Sequence, residues 1–233
     1  MLDWVPRGVT WVGLLAGPLV ILGYLAGSVP FAYLYSRRRL RRQLEAPGVE
    51  RLVGPAGSGG RDGAAARHVG AWALPGLATL GATTLAWHLT LAATPGGANF
   101  SGVGIFSNQA IGAWVSVALW TGMAAVVGHA APVWNGFRGG NGLPPAAALG
   151  AAYVPVVLLV SAGLALVVFG LTRRTRLALR CALPAMVVYA YVAWLADIQA
   201  GWGVNNGPET TLWTVVLATT LFARNHRDLG ATG

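Results

Sequence analysis

Six apolar runs dominate the sequence, at about 9–35, 70–93, 109–128, 143–171, 178–198 and 211–223. A helix crossing the ~30 Å hydrocarbon core at 1.5 Å per residue needs about 20 apolar residues. Runs of this length therefore fit a chain whose solvent is lipid. The charged content agrees, at 10% against about 25% for an average soluble domain. The first run is longer than the roughly 15-residue core of a signal peptide and lacks a small-residue cleavage pattern, so it reads as a span and not a leader.

Positive charge is carried by 16 arginines and no lysine, and they are unevenly placed. Eight lie from Arg37 to Arg67, one is Arg138, four lie from Arg173 to Arg180, and Arg224 and Arg227 close the chain. The connections 94–108 and 199–210 hold none. The positive-inside rule puts the arginine-bearing stretches in the cytoplasm and leaves only Arg7 outside. A net charge of +9 would suit nucleic acid if it lined a soluble face. Here the arginines punctuate apolar spans, so no nucleic-acid partner is expected. Cys181 is the single cysteine, which excludes an intramolecular disulfide and a cysteine-based zinc cluster.

Arg138 and Arg173 must share a face, yet only the apolar stretch 143–171 separates them. One full span would place them on opposite faces. Two short helices would return the chain to its starting side, and Val154–Pro155 is the natural break. Backbone freed there must be satisfied by protein or water. The expectation is an all-α polytopic integral membrane protein with seven transmembrane segments, the fourth and fifth short and the seventh brief. Its N-terminus lies outside and its C-terminus in the cytoplasm. It forms one membrane-embedded domain over 1–233, with a cytoplasmic Gly/Arg-rich loop at 36–69 and a glycine-rich loop at 129–142.

Three segments on the basic face carry candidate chemistry. From Gly128 to Gly142 the chain reads GHAAPVWNGFRGGNG. A Gly-Gly-x-Gly turn beside Arg138 lets backbone N–H groups converge on an anion, and a helix starting at Leu143 would add its positive dipole end. The same glycines also suit a tight turn or close helix packing. In Gly27-Ser28-Val29-Pro30, followed by Arg37, Ser28 suits hydrogen bonding to a substrate or to its own helix backbone. In Arg224-Asn225-His226-Arg227-Asp228, His226 suits an acid, base or phosphate ligand, or a solvated tail. Asp197 is the only acid well inside an apolar run, which disfavours an ion-coupled transporter. Scattered histidines give no metal site, and no cofactor is expected.

Together these segments resemble the bacterial acyl-phosphate:glycerol-3-phosphate acyltransferase family. The likeness rests on Gly27-Ser28-Val29-Pro30-Phe31-Ala32-Tyr33-Leu34 and on Gly128-His129 through Phe137-Arg138-Gly139-Gly140-Asn141-Gly142, with a weaker match at Leu171-Thr172-Arg173. The resemblance implies a multi-pass protein of the bacterial inner membrane with its active face cytoplasmic. Its partners would be acyl phosphate, glycerol 3-phosphate and membrane lipids. It implies catalytic roles for Ser28, His129 and His226, the proton acceptor being His129, His226 or a substrate phosphate. Substrate-binding roles would fall to Arg37, Ser58, Arg138, Gly139, Gly140, Asn141, Gly142 and Asn225.

The chain departs from the family pattern in places. Asn141 stands where lysine is usual, and Gly57-Ser58-Gly59-Gly60 lacks the family's asparagine. Aligning the last motif on His226 puts Leu229 at its asparagine, while aligning on Asn225 puts Phe222 at its histidine. The resemblance implies transfer of a fatty acyl group from acyl phosphate to glycerol 3-phosphate, giving lysophosphatidic acid. The departures motivate an alternative, a non-catalytic homologue serving as a membrane scaffold or lipid-binding partner.

Overall fold

Each apolar run carries a helix in the computed structural model, which describes residues 11–30, 61–93, 113–137, 139–198, 203–204 and 207–227. Side chains are described from Leu14 in the first helix, from Ala73 in the second, from Val115 in the third, and as far as Arg224 in the last. In chain order the helices are α1 (Trp11–Gly27), α2 (Arg61–Ala92), α3 (Ala113–Ala130), α4 (Leu143–Tyr153), α5 (Pro155–Thr172), α6 (Thr175–Leu195) and α7 (Pro208–Arg227). A single 3₁₀ turn, Val133–Asn135, follows α3. No strand occurs among the described residues. Among the described residues, three helices are long and apolar enough to cross a membrane: Val115–Asn135, which runs from within α3 through the 3₁₀ turn, then Pro155–Thr172 and Thr175–Leu195.

α3 is the axis of the fold. It packs against α1, α2, α4 and α7, and Ala118, Leu119, Met123 and Val126 are buried along it. α5 lies at the opposite extreme. Only 17% of its span is buried, against 67% for α3, and Leu159, Leu166 and Val167 are exposed along it. A mean hydropathy of 2.4 with so little protein cover is what a lipid-facing helix shows.

α1 and α3 touch backbone to backbone, and small residues make that possible. A Cβ on Gly23 would overlap the Thr121 carbonyl, one on Gly27 the Ala125 carbonyl, and one on Gly128 the Tyr24 carbonyl. Gly23 and Gly27 form a G-x-x-x-G pair, a spacing that places both on one helix face. Buried threonine hydroxyls nearby are satisfied within their own helices. Thr79 and Thr83 donate to the carbonyls four residues back at 2.8 Å, and Thr121 does so at 2.7 Å. At the other end of α3, Trp120 Nε1 donates to Glu209 Oε1 at 2.9 Å, and Ser116 Oγ donates to the same oxygen. Trp213 Nε1 donates to the Leu119 carbonyl at 3.2 Å, further tying α7 to α3.

The stretch 143–171 breaks at Val154, with φ −134° and ψ 55°, and Pro155 opens α5 at its first position. The freed Tyr153 carbonyl accepts from Val204 N at 2.7 Å, so the α6–α7 connection covers the break. The two halves are unequal, however. α4 has 11 residues and rises about 16 Å, half a hydrocarbon core. α5 has 18. The fifth helix is therefore not short, because the proline sits nearer the start of the apolar stretch than its middle. α7 is a 20-residue helix because it continues past the apolar run from Arg224 to Arg227. α2 begins at Arg61, inside the segment expected to be loop to residue 69. Its Ala64-Ala65-Ala66 run has the highest helix propensity available.

Leu143 at the start of α4 and Ala165 late in α5 line one cavity. α5 therefore runs back alongside α4. It ends where Arg173 adopts a left-handed conformation, φ 56°, and Thr172 Oγ1 accepts from Arg174 N at 3.3 Å before α6 starts.

Candidate functional site

Ser28 follows the last residue of α1, and its position is set by the α1–α3 crossing. Its N–H and its Oγ both donate to the Tyr24 carbonyl, at 2.9 and 2.8 Å. The residue is 1% exposed. Gly128 faces it, for a Cβ there would lie 3.0 Å from Ser28 Oγ. A hydroxyl retains two acceptor lone pairs and a rotatable proton. The contact with Tyr24 therefore holds the oxygen in place without using up its chemistry. Tyr24 also reaches across, its hydroxyl donating to the Ala131 carbonyl at 2.8 Å, so one turn of α1 fixes both Ser28 and the exit of α3.

Beyond α3 the chain makes a short turn. Phe137 N donates to the Pro132 carbonyl at 3.0 Å, with Gly136 and Phe137 both at positive φ. Trp134 is 66% and Phe137 60% exposed. Two open aromatic rings at the end of a spanning helix match the girdle found at membrane–water interfaces.

The glycine segment then folds back onto the end of α3. Gly140 N donates to the His129 carbonyl at 3.0 Å, and a Cβ on Gly140 would sit 2.6 Å from His129 Nε2. The imidazole thus lies directly against the loop, and a side chain at 140 would have to displace it. A Cβ on Gly139 would overlap the His129 and Ala130 carbonyls and the Pro132 ring. Gly142, at φ 75°, is the N-cap of α4.

α4 does start at Leu143, but its first turn offers an anion no free N–H. Leu143 N donates to Asn141 Oδ1 at 3.1 Å, and Pro144 and Pro145 have no N–H to give. The expected contribution of this helix end reduces to its dipole. Asn141, expected as a substrate ligand, uses its side-chain oxygen to cap α4.

From the opposite side the loop is gripped by α7. Arg224 Nε donates to the Gly140 carbonyl at 3.1 Å, and Nη2 donates to the Gly139 carbonyl. Arg224 belongs to the third candidate segment, but its own role there has no signal in the sequence. Its partners lie 84 and 85 residues away, and no local pattern announces such a pairing. Leu221, one turn earlier on α7, abuts Gly142. It also lines, with Leu143, an apolar cavity of about 220 Å³ whose other walls include Ala146, Ala162, Ala165 and Leu183. Leu143, the residue after the loop, and Leu221, against Gly142, thus belong to the wall of an oily cleft among α4, α5, α6 and α7.

The structure therefore gathers His129, Gly139, Gly140, Asn141 and Gly142 with Arg224, while Ser28 stands against Gly128, the neighbour of His129. Arg37, Ser58 and Arg138 lie outside the described residues. Asn225 and His226 are on the last turn of α7 by their backbone, and their side chains lie outside the description. Among the described residues no group of three His, Cys, Asp or Glu side chains is placed to hold a metal.

The sequence model of a family described as glycerol-3-phosphate acyltransferase matches residues 64–231. Two solved structures of PlsY (YgiH), an integral membrane glycerol 3-phosphate acyltransferase, are similar in fold, one in its glycerol 3-phosphate form and one in its lysophosphatidic acid form. Each is 22% identical, with a TM-score of 0.57 over 93% of this chain and 90% of that one. No curated protein sequence matches.

Proposed function

The chain belongs to the glycerol-3-phosphate acyltransferase family, and on that premise we propose that it transfers a fatty acyl group from acyl phosphate to glycerol 3-phosphate. The products are lysophosphatidic acid and inorganic phosphate. The observation that carries this reading is that the glycine loop lies beside the apolar cavity, whose wall includes Leu143, next in the chain, and Leu221, packed against Gly142. Acyl phosphate has an anionic head and a hydrocarbon tail, and here a loop of glycine peptide groups lies beside an oily cleft.

In this reading the acceptor hydroxyl attacks the acyl carbon, and the bond from that carbon to the phosphate oxygen breaks. The hydroxyl proton passes to a base at the loop, and His129 is the described imidazole in place for it. Loop N–H groups and Arg138 stabilise the phosphate as charge gathers on it. Arg37, Ser58, Asn225 and His226 bind or activate the acceptor, and Ser28 orients its hydroxyl. The neighbouring PlsY structures carry glycerol 3-phosphate and lysophosphatidic acid, which supports that acceptor and product.

The same reading includes seven membrane segments, N-terminus outside, with the loop on the cytoplasmic side of a bacterial inner membrane. The arginine distribution and the exposed Trp134 and Phe137 support it. Purified protein in detergent, given acyl phosphates of several chain lengths and labelled glycerol 3-phosphate, is expected to form labelled lysophosphatidate. Folded protein that forms none at any chain length sinks the proposal.

A further inference from the structure

Arg224 holds two consecutive carbonyls of the glycine loop, and the geometry of a peptide unit makes that grip directional. In a trans peptide the C=O and the following N–H point in opposite directions, and no cis peptide occurs among the described residues. The unit joining Gly139 to Gly140 presents its oxygen to Arg224 and its N–H to the His129 carbonyl, at 3.0 Å for the latter. That unit is fully used and pins the loop between α7 and α3. The unit joining Gly140 to Asn141 presents its oxygen to Arg224 Nε at 3.1 Å. Its N–H, on Asn141, must then point away from the guanidinium, and it meets no acceptor among the described residues.

We propose that Arg224 is the positioning residue of the anion loop, turning the Asn141 N–H outward as the donor that receives the phosphate of the acyl donor. The role rests on the acyl-phosphate reading above. Two physical effects combine in it. Bonds from a cation to a carbonyl are stronger than neutral ones and fix the plane of the peptide. A cation on the oxygen also polarises the unit, so that the N–H at its far end becomes a better donor. Nε and one Nη2 hydrogen are occupied, and the fork leaves three further N–H donors and the full charge beside the loop. Asn141 Oδ1 accepts from Leu143 N, which ties residue 141 to the start of α4 and steadies the direction of its own N–H.

The test uses the full-length protein in detergent with Arg224→Ala, Arg224→Gln and Arg224→Lys. Two readouts are taken, steady-state turnover and binding of a non-hydrolysable acyl phosphonate. Removing the bonds is expected to raise KM for acyl phosphate, and Kd for the phosphonate, by about 10- to 100-fold in the alanine variant. KM for glycerol 3-phosphate should stay within about 2-fold. Lysine keeps the charge but not the fork that spans two carbonyls, so it should fall between alanine and wild type, with glutamine close to alanine.

Unchanged KM and Kd in Arg224→Ala overturn the proposal. So does an equal rise in both KM values with Arg224→Lys indistinguishable from wild type, which is the pattern of a merely structural tie. Where the alanine variant does not fold, Arg224→Lys at wild-type melting temperature decides: a several-fold rise in phosphonate Kd supports the role, and an unchanged value overturns it. A wild type that binds phosphonate through Arg224 but never turns over would sink the acyl-transfer reading and leave this role standing. An active wild type indifferent to Arg224 does the reverse.

Discussion

Gly128 on α3 and Ser28 at the end of α1 are in contact along their backbones: a Cβ at 128 would lie 3.0 Å from both the amide nitrogen and Oγ of Ser28 and would overlap the Tyr24 carbonyl. The obstacle is main chain, which cannot rotate aside. Gly128→Val should therefore force the two helices apart, at a cost of about 1–3 kcal/mol as overpacking does. Melting followed in detergent should show a lowered Tm, and turnover should fall with it because Ser28 and His129 separate. Gly163→Ala on α5 is the matched control. Nothing lies within 4 Å of that Cβ, so its Tm should hold or rise slightly, since alanine is the better helix former. An unaltered Tm in Gly128→Val would contradict the crossing.

Ser28→Ala separates two uses of one hydroxyl. Its bond to Tyr24 duplicates an acceptor already taken by the helix, so its loss should cost about 1 kcal/mol or less of stability. If the oxygen orients the acceptor, turnover should drop by roughly 100-fold or more. A variant with wild-type melting and wild-type kcat/KM would confine Ser28 to backbone capping.

How much of this was readable beforehand depends on whether the signal was local. The break at Val154–Pro155 was legible, because proline restricts its own and the preceding residue. The lengths on either side were not, since nothing in a continuous apolar stretch says how far each helix runs once the chain turns. The G-x-x-x-G pair at Gly23 and Gly27 was present and readable, yet its partner surface on α3 is written in unremarkable Thr121 and Ala125. The turn at Gly139–Gly142 was recognisable from its glycines. Its two fixings were not, because the Arg224 grip and the Asn141 cap depend on how α7 and α4 approach it. Pro144 and Pro145 were in plain view, and their missing N–H groups already argued against the start of α4 as a donor.

Glu209 offers a contrast at the far end of α7. Its carboxylate accepts from Ser116 and Trp120 on α3, about 22 Å along the helix from Arg224 at 1.5 Å per residue. Glu209→Leu should leave two donors without their acceptor, costing roughly 1–3 kcal/mol. Because the loop is gripped from the other end, KM for either substrate should be unchanged. A thermal melt and a kinetic assay on the same preparation check both halves. A raised KM for acyl phosphate with intact melting would mean that the two ends of α7 are coupled.

The apolar cavity makes the most discriminating prediction, because it concerns selectivity and not total activity. Ala162 and Ala165 on α5 project into it from the weakly buried helix, while Leu143 and Leu221 stand where it joins the loop. Ala165→Phe adds a ring to a space of about 220 Å³ without touching the glycine segment. If the acyl tail occupies this space, long-chain acyl phosphates should lose about 10-fold or more in kcat/KM, since several buried methylenes at ~0.8 kcal/mol each are at stake. Short-chain donors should be spared, and KM for glycerol 3-phosphate should not move. Only 17% of α5 is buried, so the ring has room to be accommodated without unfolding the bundle, and melting should stay close to wild type. A uniform loss across chain lengths would place the tail elsewhere, and an unchanged profile would make the cavity a packing gap between helices.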